Sequence, residues 1–209
     1  STPLHAGPYE LVSVIGRGGM GVVYRARDPK LGREVALKMM IGAGWGDEES
    51  HKRFLREAKT LADMRHPGIV PVHDMGVADE GPYYTMELVE GEPLDRFLHH
   101  ASSTASRRLR ILIEVCAAVH HAHRKGVVHR DLKPANVLVT SLGRPVILDF
   151  GLAHLSKPDP NASRMTQEGS VMGTPAYMAP EQALGKTEEV DARSDIYALG
   201  VMLYEITTG

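Results

Sequence analysis

The chain has 209 residues, 43% of them apolar, and its 24 Lys and Arg side chains nearly balance its 26 Asp and Glu side chains. This length and apolar content suffice for a hydrophobic core in one or two domains. A formal charge of −2 gives no electrostatic footprint for nucleic acid or an anionic membrane, so neither is expected as a partner.

Targeting and redox signals are sparse. No apolar run in the sequence is long enough to span a bilayer, and no signal-peptide pattern opens it. A single cysteine excludes an intramolecular disulfide, and Cys116 lies in the apolar stretch 111–119, where we expect a core position rather than a nucleophile. We expect a cytoplasmic protein, or the cytoplasmic domain of a longer, membrane-anchored one.

The first ninety residues predict a small antiparallel sheet with one helix. Strands separated by turns are expected at 9–15, 22–24, 34–40, 69–75 and 83–89. Between 51 and 64 the apolar residues recur at helical spacing, and Arg65-His66-Pro67-Gly68 predicts the end of that helix.

The rest of the chain is mainly helical by pattern, and Gly91-Glu92-Pro93 marks the expected boundary. Helices are predicted at 94–99, 109–124 and 194–207, and short strands inside 127–139 and at 146–148. The stretch 156–173 is polar and contains prolines, so we expect a mobile loop there. The predicted fold class is α+β, with one domain over 1–90 and a second over 91–209.

A glycine cluster at 16–21, Gly-Arg-Gly-Gly-Met-Gly, fits the pattern GxGxxG. A dinucleotide-binding turn would need a helix directly after it, whereas Val22-Val23-Tyr24 favours a strand. A P-loop would need Gly-Lys-Ser/Thr, which the cluster lacks. A plain glycine-rich hairpin stays open beside the functional interpretation, in which backbone N–H groups approach a phosphate without obstruction by Cβ atoms.

Val35-Ala36-Leu37-Lys38 places a lysine among apolar neighbours on a predicted strand. A buried or half-buried ammonium needs a counter-charge or a phosphate. Glu57 on the predicted helix can supply that charge. A solvated surface lysine is the alternative.

The string His129-Arg130-Asp131-Leu132-Lys133-Pro134-Ala135-Asn136 carries the most specific signal in the chain. An Asp and an Asn five residues apart in a proline-containing loop offer oxygen ligands and a proton acceptor in one place. Asp149-Phe150-Gly151 follows a short apolar strand, and a carboxylate at a strand end is a good ligand for a hard cation.

In their order along the chain, these motifs resemble those of the protein-kinase family. The matching features are the glycine loop, Val35-Ala36-Leu37-Lys38, Glu57, the string 129–136, Asp149-Phe150-Gly151 and Ala179-Pro180-Glu181. The segment 173–182, Gly-Thr-Pro-Ala-Tyr-Met-Ala-Pro-Glu-Gln, is similar to that of bacterial, eukaryotic-like Ser/Thr kinases. The resemblance implies a bilobal fold, with a sheet-rich N-lobe over 1–90 and a partial helical C-lobe over 91–209.

The resemblance also implies Mg²⁺-assisted phosphoryl transfer from ATP to Ser or Thr hydroxyls of protein substrates. The implied catalytic side chains are Asp131, Lys133, Lys38 and Glu57, and the implied metal ligands are Asn136 and Asp149. Lys38 would hold the α- and β-phosphates and pair with Glu57. Asp131 would accept or orient the substrate hydroxyl, and Lys133 would steady the γ-phosphate.

The implied nucleotide-binding residues surround the adenine and the phosphates. They are Ile15, Gly16, Gly18, Gly19, Gly21, Val23, Ala36, Lys38, the gatekeeper Met86, Glu87, Val89 and Leu138. Val23, Ala36 and Leu138 would sandwich the adenine, and the main chain of Glu87 and Val89 would hydrogen-bond its edge.

The family also has a spine of side chains that stacks through both lobes. Its counterparts here are Leu61, Val72, His129 and Phe150, with Asp195 at the base. His129 is therefore structural in this interpretation, not an acid or a base. The other histidines match no family role. For three of them, a metal site and a solvated helix face are both open: His120, His121 and His123.

Regulation by phosphorylation is implied by Arg130, because an unpaired guanidinium beside Asp131 would attract a phosphate from the loop 156–173. Thr166 and Ser170 are the candidate phosphosites, with Thr166 preferred, and both can also be ordinary polar residues. Thr174 matches the threonine that links the substrate-facing loop to the catalytic residues. If one copy of the chain phosphorylates the loop of another, the implied partner is a second copy, in a homodimer.

Two rival functions are open at this stage. A pseudokinase, or an inactive kinase-fold fragment serving as a binding scaffold, usually lacks the lysine or one of the two aspartates that are present here. A small-molecule kinase on a related fold is disfavoured by the segment 173–182. Because the family has further C-lobe helices, we expect Glu181 to lack its usual arginine partner and the helix 194–207 to expose apolar surface.

Overall fold

The computed structural model describes residues 4–18, 21–40, 48–100, 103–150 and 175–208, without the side chains at 48–50, 53, 56–58, 175 and 187. The described residues fall in two compact units. The first unit holds those within 1–63 and 71–88, and the second holds those within 64–70, 89–153 and 174–209.

The first unit is a six-stranded sheet whose order is β1-β2-β3-β4-β6-β5, with every neighbouring pair antiparallel. The strands are β1 (His5–Ala6), β2 (Tyr9–Gly18), β3 (Gly21–Asp28), β4 (Arg33–Met40), β5 (Val72–Ala78) and β6 (Gly81–Met86). Helix α1 (Glu48–Ala62) packs on β5. The predicted antiparallel sheet with one helix is confirmed.

The core of the first unit lies on one face of this sheet. Val35, Leu37 and Met39 alternate along β4 and pack with Tyr9 and Tyr83. Because side chains alternate between faces along a strand, this register turns the residues between them, among them the predicted lysine, to the other face. Each large apolar side chain removed from water contributes about 1.5–3 kcal/mol.

The second unit is mainly helical, with a small sheet of order β7-β8-β9. Its elements are β7 (Gly91–Pro93), α2 (Leu94–Leu98), α3 (Ala105–Arg124), β8 (Val137–Thr140), β9 (Pro145–Ile147), α4 (Pro180–Ala183) and α5 (Ala192–Thr208). Helices α3 and α5 pack on each other. Among the helices that the structure describes, none is long and apolar enough to cross a membrane.

Helix α3 begins four residues before the predicted start. The hydroxyl of Thr104 caps it by accepting a hydrogen bond from the backbone N–H of Arg107 at 3.3 Å. The buried stripe of α3 includes Ile111, Val115 and Ala118. Cys116 lies off that stripe and is exposed, so the core position expected for it is wrong.

The predicted strand at 69–75 is wrong in its first part. Residues 64–70, which we call the linker, belong to the second unit, and β5 begins only at Val72. Ile69 forms a parallel bridge with Ile147 of β9, and the N–H of Val70 donates to the Ile147 carbonyl at 3.0 Å. The apolar run 69–75 thus pairs with strands of two different sheets. Alternation of apolar residues in the sequence cannot reveal such a split.

Helix α5 exposes apolar side chains, as the sequence predicts. Ile196, Tyr197, Leu203 and Tyr204 are all exposed, while Met202 and Ile206 are buried.

Candidate active site

The loop 129–136 brings three of the predicted side chains together. The Lys133 ammonium donates to both carboxylate oxygens of Asp131, at 3.0 and 2.8 Å. The amide nitrogen of Asn136 donates to the backbone carbonyl of Asp131 at 2.7 Å and to its Oδ2 at 3.1 Å. The Asp131 side chain is 35% exposed, so this carboxylate is fixed in place yet accessible to another molecule.

Asp195 of α5 holds the start of this loop. Its carboxylate accepts from the N–H groups of His129 and Arg130, at 2.8 and 2.9 Å. It also lies 2.7 Å from Nε2 of His123 on α3. Arg130 adopts a left-handed backbone with φ of 68°, which side chains rarely tolerate. Two charge-assisted hydrogen bonds at this turn stabilise that conformation.

His129 is fully buried and structural. The N–H of Asp131 donates to its Nδ1 at 3.2 Å, so Nδ1 carries the lone pair and Nε2 carries the proton. Nε2 then donates to the Leu148 carbonyl at 2.8 Å. The ring also meets Phe150 edge to face, with centroids 4.8 Å apart. Both ring nitrogens are thus occupied within the fold, which leaves neither for proton transfer.

The two predicted metal ligands lie on neighbouring segments of the second unit. The N–H of Leu148 donates to the Asn136 carbonyl at 2.9 Å, and Asp149 is the next residue. Asp149 has a left-handed backbone with φ of 56°. Both side-chain hydrogen bonds of Asn136 use its nitrogen, so its Oδ1 is the atom that suits a hard cation.

Arg130 has a side chain that the described contacts do not satisfy. Its Nε is buried and has no hydrogen-bond partner among the described residues. Its carbonyl accepts from the Gln182 side-chain amide, and the Gln182 carbonyl oxygen accepts from the N–H of Ala179 at 3.1 Å. Gln182 therefore joins the loop 129–136 to the start of α4.

Lys38 lies in the first unit on β4, half-buried, opposite Val23 on β3 and Tyr84 on β6. Ala36 lies two residues earlier on the same face and opposite Met86, and both are buried. The sheet therefore brings Val23, Ala36, Lys38 and Met86 together on one face.

The glycines of the hairpin between β2 and β3 differ in what the fold requires of them. A Cβ at Gly21 would lie 2.1 Å from the Met39 carbonyl oxygen, so the sheet itself excludes a side chain. Among the described residues, a Cβ at Gly18 would meet no heavy atom within 4 Å. Gly16 would make only ordinary contact with Val23. The fold thus explains Gly21 but not Gly16 or Gly18.

Other predicted residues are less informative. Ile15 and Glu87 are exposed, whereas Leu138, Val89 and Val72 are half-buried, and Leu61 is buried. Several predicted residues lie outside the part of the chain that the structure describes: Gly19, Thr166, Ser170, Thr174 and the rest of the loop 156–173. For Glu57, the structure describes the backbone but not the side chain.

Sequence reasoning missed contacts that support the loop. Glu181 was expected to lack its usual arginine partner, and the structure supplies a different one: the hydroxyl of Ser194 donates to it, and this bond lowers the Glu181 pKa. The Tyr177 hydroxyl donates to Glu205, and burial followed by this bond raises the Tyr177 pKa. The pattern Ala179-Pro180-Glu181-Gln182 did contain a signal, since a Gln at this spacing typically caps a helix start.

The three α3 histidines, for which a metal site and a solvated helix face were both open, have different surroundings. His121 stacks on His66, and His123 contacts Asp195, while His120 is exposed. Among the described residues, no group of three or more His, Cys, Asp or Glu side chains is placed to hold a metal ion.

An antiparallel sheet with one helix, followed by a helical unit that carries an Asp-Lys-Asn loop, is the architecture of kinase-fold proteins. The chain belongs to the protein kinase domain family, whose model matches residues 9–209. The crystal structure of the Mycobacterium tuberculosis PknI kinase domain is similar, with a TM-score of 0.75 and 31% identity. That match covers 99% of this chain and 76% of the PknI chain.

Curated relatives are bacterial Ser/Thr protein kinases. The DNA damage-responsive serine/threonine-protein kinase RqkA of Deinococcus radiodurans is 49% identical over 99% of this chain and 30% of its own length. The serine/threonine-protein kinase PknB of Mycobacterium tuberculosis is 40% identical over 100% of this chain and 34% of its own length. The chain therefore spans about a third of the length of these relatives.

Proposed function

We propose that this chain is the catalytic part of a serine/threonine protein kinase that transfers the γ-phosphoryl group of ATP to protein hydroxyls. The observation that carries the proposal is the Asp131 carboxylate, held by Lys133 and Asn136 and still accessible. Family membership and the Ser/Thr kinase names of the relatives support the reaction class and the acceptor type.

On the acceptor side, Asp131 orients the substrate hydroxyl and takes its proton. The hydroxyl oxygen forms a bond to the γ-phosphorus while the bond from that phosphorus to the bridging oxygen breaks, which leaves ADP. Lys133 contacts Asp131 with its ammonium and neutralises charge on the transferring group. Positioning by the loop supplies most of the effect, because this reaction needs little covalent help.

On the metal side, Asn136 and Asp149 fit a divalent cation. Their oxygens are the ligands that Mg²⁺ prefers, and Leu148 links their segments by a backbone hydrogen bond. When bound, Mg²⁺ neutralises the phosphate oxygens of ATP.

For the nucleotide, we propose an N-lobe over 1–90 and a partial C-lobe over 91–209. These lobes match the two units, except that the second unit also holds the linker 64–70 and residues 89–90. Lys38 contacts the α- and β-phosphates and pairs with Glu57. The hairpin glycines approach the phosphates, which is supported by Gly16 and Gly18 having no role in the packing of the sheet. The remaining adenine contacts are proposed at Ile15, Val23, Ala36, Met86, Glu87, Val89 and Leu138.

Regulation by autophosphorylation is proposed at Thr166, with Ser170 as the second site. The buried Nε of Arg130 supports this, because a phosphate on the loop would supply the acceptor that the described residues do not. Phosphorylation between two copies would proceed through a homodimer. An ATP-dependent enzyme needs a nucleotide pool, so the cytoplasm is the proposed location.

The test is a radiolabelled-ATP assay with a generic protein acceptor, run on the chain and on Asp131→Asn. We expect phosphate on Ser and Thr of the acceptor for the chain and a loss of about 10²- to 10⁴-fold for the variant. Equal low activity in both would identify a pseudokinase scaffold. Transfer to an aminoglycoside or choline instead of protein would identify a small-molecule kinase.

A further inference from the structure

The linker 64–70 is attached to the rest of the second unit by a small set of contacts. The N–H of Ile147 donates to the Gly68 carbonyl at 2.9 Å, and the N–H of Val70 donates to the Ile147 carbonyl at 3.0 Å. A Cβ at Gly68 would lie 3.2 Å from the Cβ of Ala118 on α3, so the linker backbone closely approaches this helix. Met64, at the start of the linker, is buried as well.

His66 closes the turn of the linker in a way that requires one protonation state. The N–H of Gly68 donates to Nδ1 of His66 at 3.0 Å, so Nδ1 carries a lone pair and the single proton of the neutral ring sits on Nε2. A second proton would have to enter at Nδ1, where it would face the Gly68 N–H. Protonation of His66 therefore breaks the hydrogen bond that shapes the turn.

His121 of α3 adds a second cost to that proton. The rings of His66 and His121 are stacked with centroids 5.1 Å apart and planes tilted by 38°. The Nε2 atom of His121 is buried and has no hydrogen-bond partner among the described residues. A cation on the His66 ring would lie close to the His121 ring, whose buried nitrogen has no described acceptor or donor to respond to the charge.

The other groups near the pair are either uncharged or exposed to solvent. Ala118 on α3 and the main chain of Ile147 on β9 are uncharged, and the charged neighbours in sequence, Asp63, Arg65 and Arg124, have exposed side chains. Burial is the main cause that lowers the pKa of His66 from its usual 6.5, and the charge of His121 is the second.

We propose that the His66–His121 pair is a pH-sensitive latch, which holds the linker on α3 while His66 is neutral and releases it when His66 takes up a proton. A group whose pKa is lowered in the docked state binds more protons when undocked, so docking strengthens as pH rises. The latch is fully closed above about 6.5, the usual His66 value, and loses strength as pH falls below it toward the lowered value.

The test is amide hydrogen exchange of Val70 and Ile147 between pH 5 and 8, corrected for intrinsic exchange rates. In the unmodified chain, the protection factors should fall by up to about tenfold per pH unit below the usual His66 value. His66→Asn keeps an oxygen that can accept from Gly68 N–H but cannot titrate. That variant should match the unmodified chain at pH 8 and lose this pH dependence.

The matched control is His73→Asn in the first unit, because burial also lowers the pKa of His73. This variant should leave the pH dependence of the linker amides unchanged. The proposal is overturned if His66→Asn keeps the full pH dependence, or if His73→Asn abolishes it.

A second measurement follows the His66 ring protons by NMR and does not depend on the behaviour of the Asn variant. In the unmodified chain His66 should titrate below its usual value, and His121→Gln should move that midpoint upward. A midpoint at or above the usual value in the unmodified chain would overturn the latch.

Discussion

The loop 129–136 and the hairpin between β2 and β3 differ in how firmly hydrogen bonds hold them. In the loop, Asp131, Lys133 and Asn136 are joined by hydrogen bonds and the backbone is anchored on Asp195. The pairing of β2 with β3 is interrupted by two register shifts, and Val12, Val14 and Ile15 of β2 are exposed. Bulges of this kind bend a strand and weaken its pairing locally.

The difference matches the tasks proposed for the two regions. A proton acceptor must lie within a few tenths of an ångström of its productive position, which requires many directional bonds. A hairpin that covers phosphates and a flat adenine ring needs backbone access and apolar surface, which a loosely paired strand provides. Substitutions in the loop should therefore lower the rate of turnover, and substitutions in the hairpin should weaken nucleotide binding.

The largest effect is expected for Asp149→Asn. The loss of a negative charge at the proposed metal site should cost about 3–5 kcal/mol of transition-state stabilisation, or about 10²- to 10⁴-fold in kcat/KM. Steady-state phosphotransfer at varied Mg²⁺ measures it, with circular dichroism to verify that the isosteric variant folds. Near-normal turnover would exclude the metal role of Asp149.

The next largest effect is expected for Asp195→Asn, which should lower both stability and turnover. The amide oxygen can replace one acceptor, but the amide NH₂ then faces a backbone N–H, which should cost about 2–4 kcal/mol in the free energy of unfolding. Denaturant unfolding and turnover measure the two effects. Asp191→Asn is the matched control, since this exposed carboxylate at the start of the same helix should change stability by less than about 1 kcal/mol. Equal effects would contradict the anchor.

Substitutions at two hairpin glycines should distinguish an effect on stability from an effect on nucleotide binding. Gly21→Ala places a Cβ against the Met39 carbonyl and should destabilise the first unit by about 2–3 kcal/mol. Gly18→Ala should change stability by less than about 0.5 kcal/mol and raise the KM for ATP. Thermal unfolding and ATP titrations distinguish them, and an unchanged KM in Gly18→Ala would remove the phosphate role from this glycine.

The smallest effect is expected for Ser194→Ala, which removes the donor to Glu181. Because the Glu181 pKa is lowered from 4.5, this carboxyl stabilises the fold above that value and loses its contribution as pH falls through the lowered one. The variant should raise the Glu181 pKa and flatten the acid limb of a plot of Tm against pH. An unchanged Glu181 pKa by NMR would show that the hydroxyl bond is unimportant.

The regular elements could be predicted because periodicity encodes which face is buried. Helix α3 and strand β4 carry that signal over many residues. The pairing of Ile69 with β9 could not be predicted, because alternation does not name the partner strand. Cys116 was misplaced since an apolar stretch was assumed to be buried all around.

The candidate site shows the same limit at the level of single side chains. In the loop 129–136, Asp131 and Asn136 could be proposed from their spacing, because their chemistry is unusual for packing, whereas Lys133 was proposed from the family resemblance. Their support comes from far along the chain: His123 is 72 residues from Asp195, and Gln182 is 52 residues from Arg130. Contacts at such separation depend on the tertiary fold, and local sequence carries no record of them.

The single carboxylate beneath the loop also sets an order of events during synthesis. Asp195 follows His129 by 66 residues, so a ribosome adding 5–20 residues per second makes the acceptor about 3–13 s after the loop. Until then the left-handed turn at Arg130 lacks the two hydrogen bonds that its backbone and that of His129 donate to Asp195. The growing chain therefore spends seconds with its proposed catalytic residues already made but not yet in position, and long-range contacts of this kind slow folding.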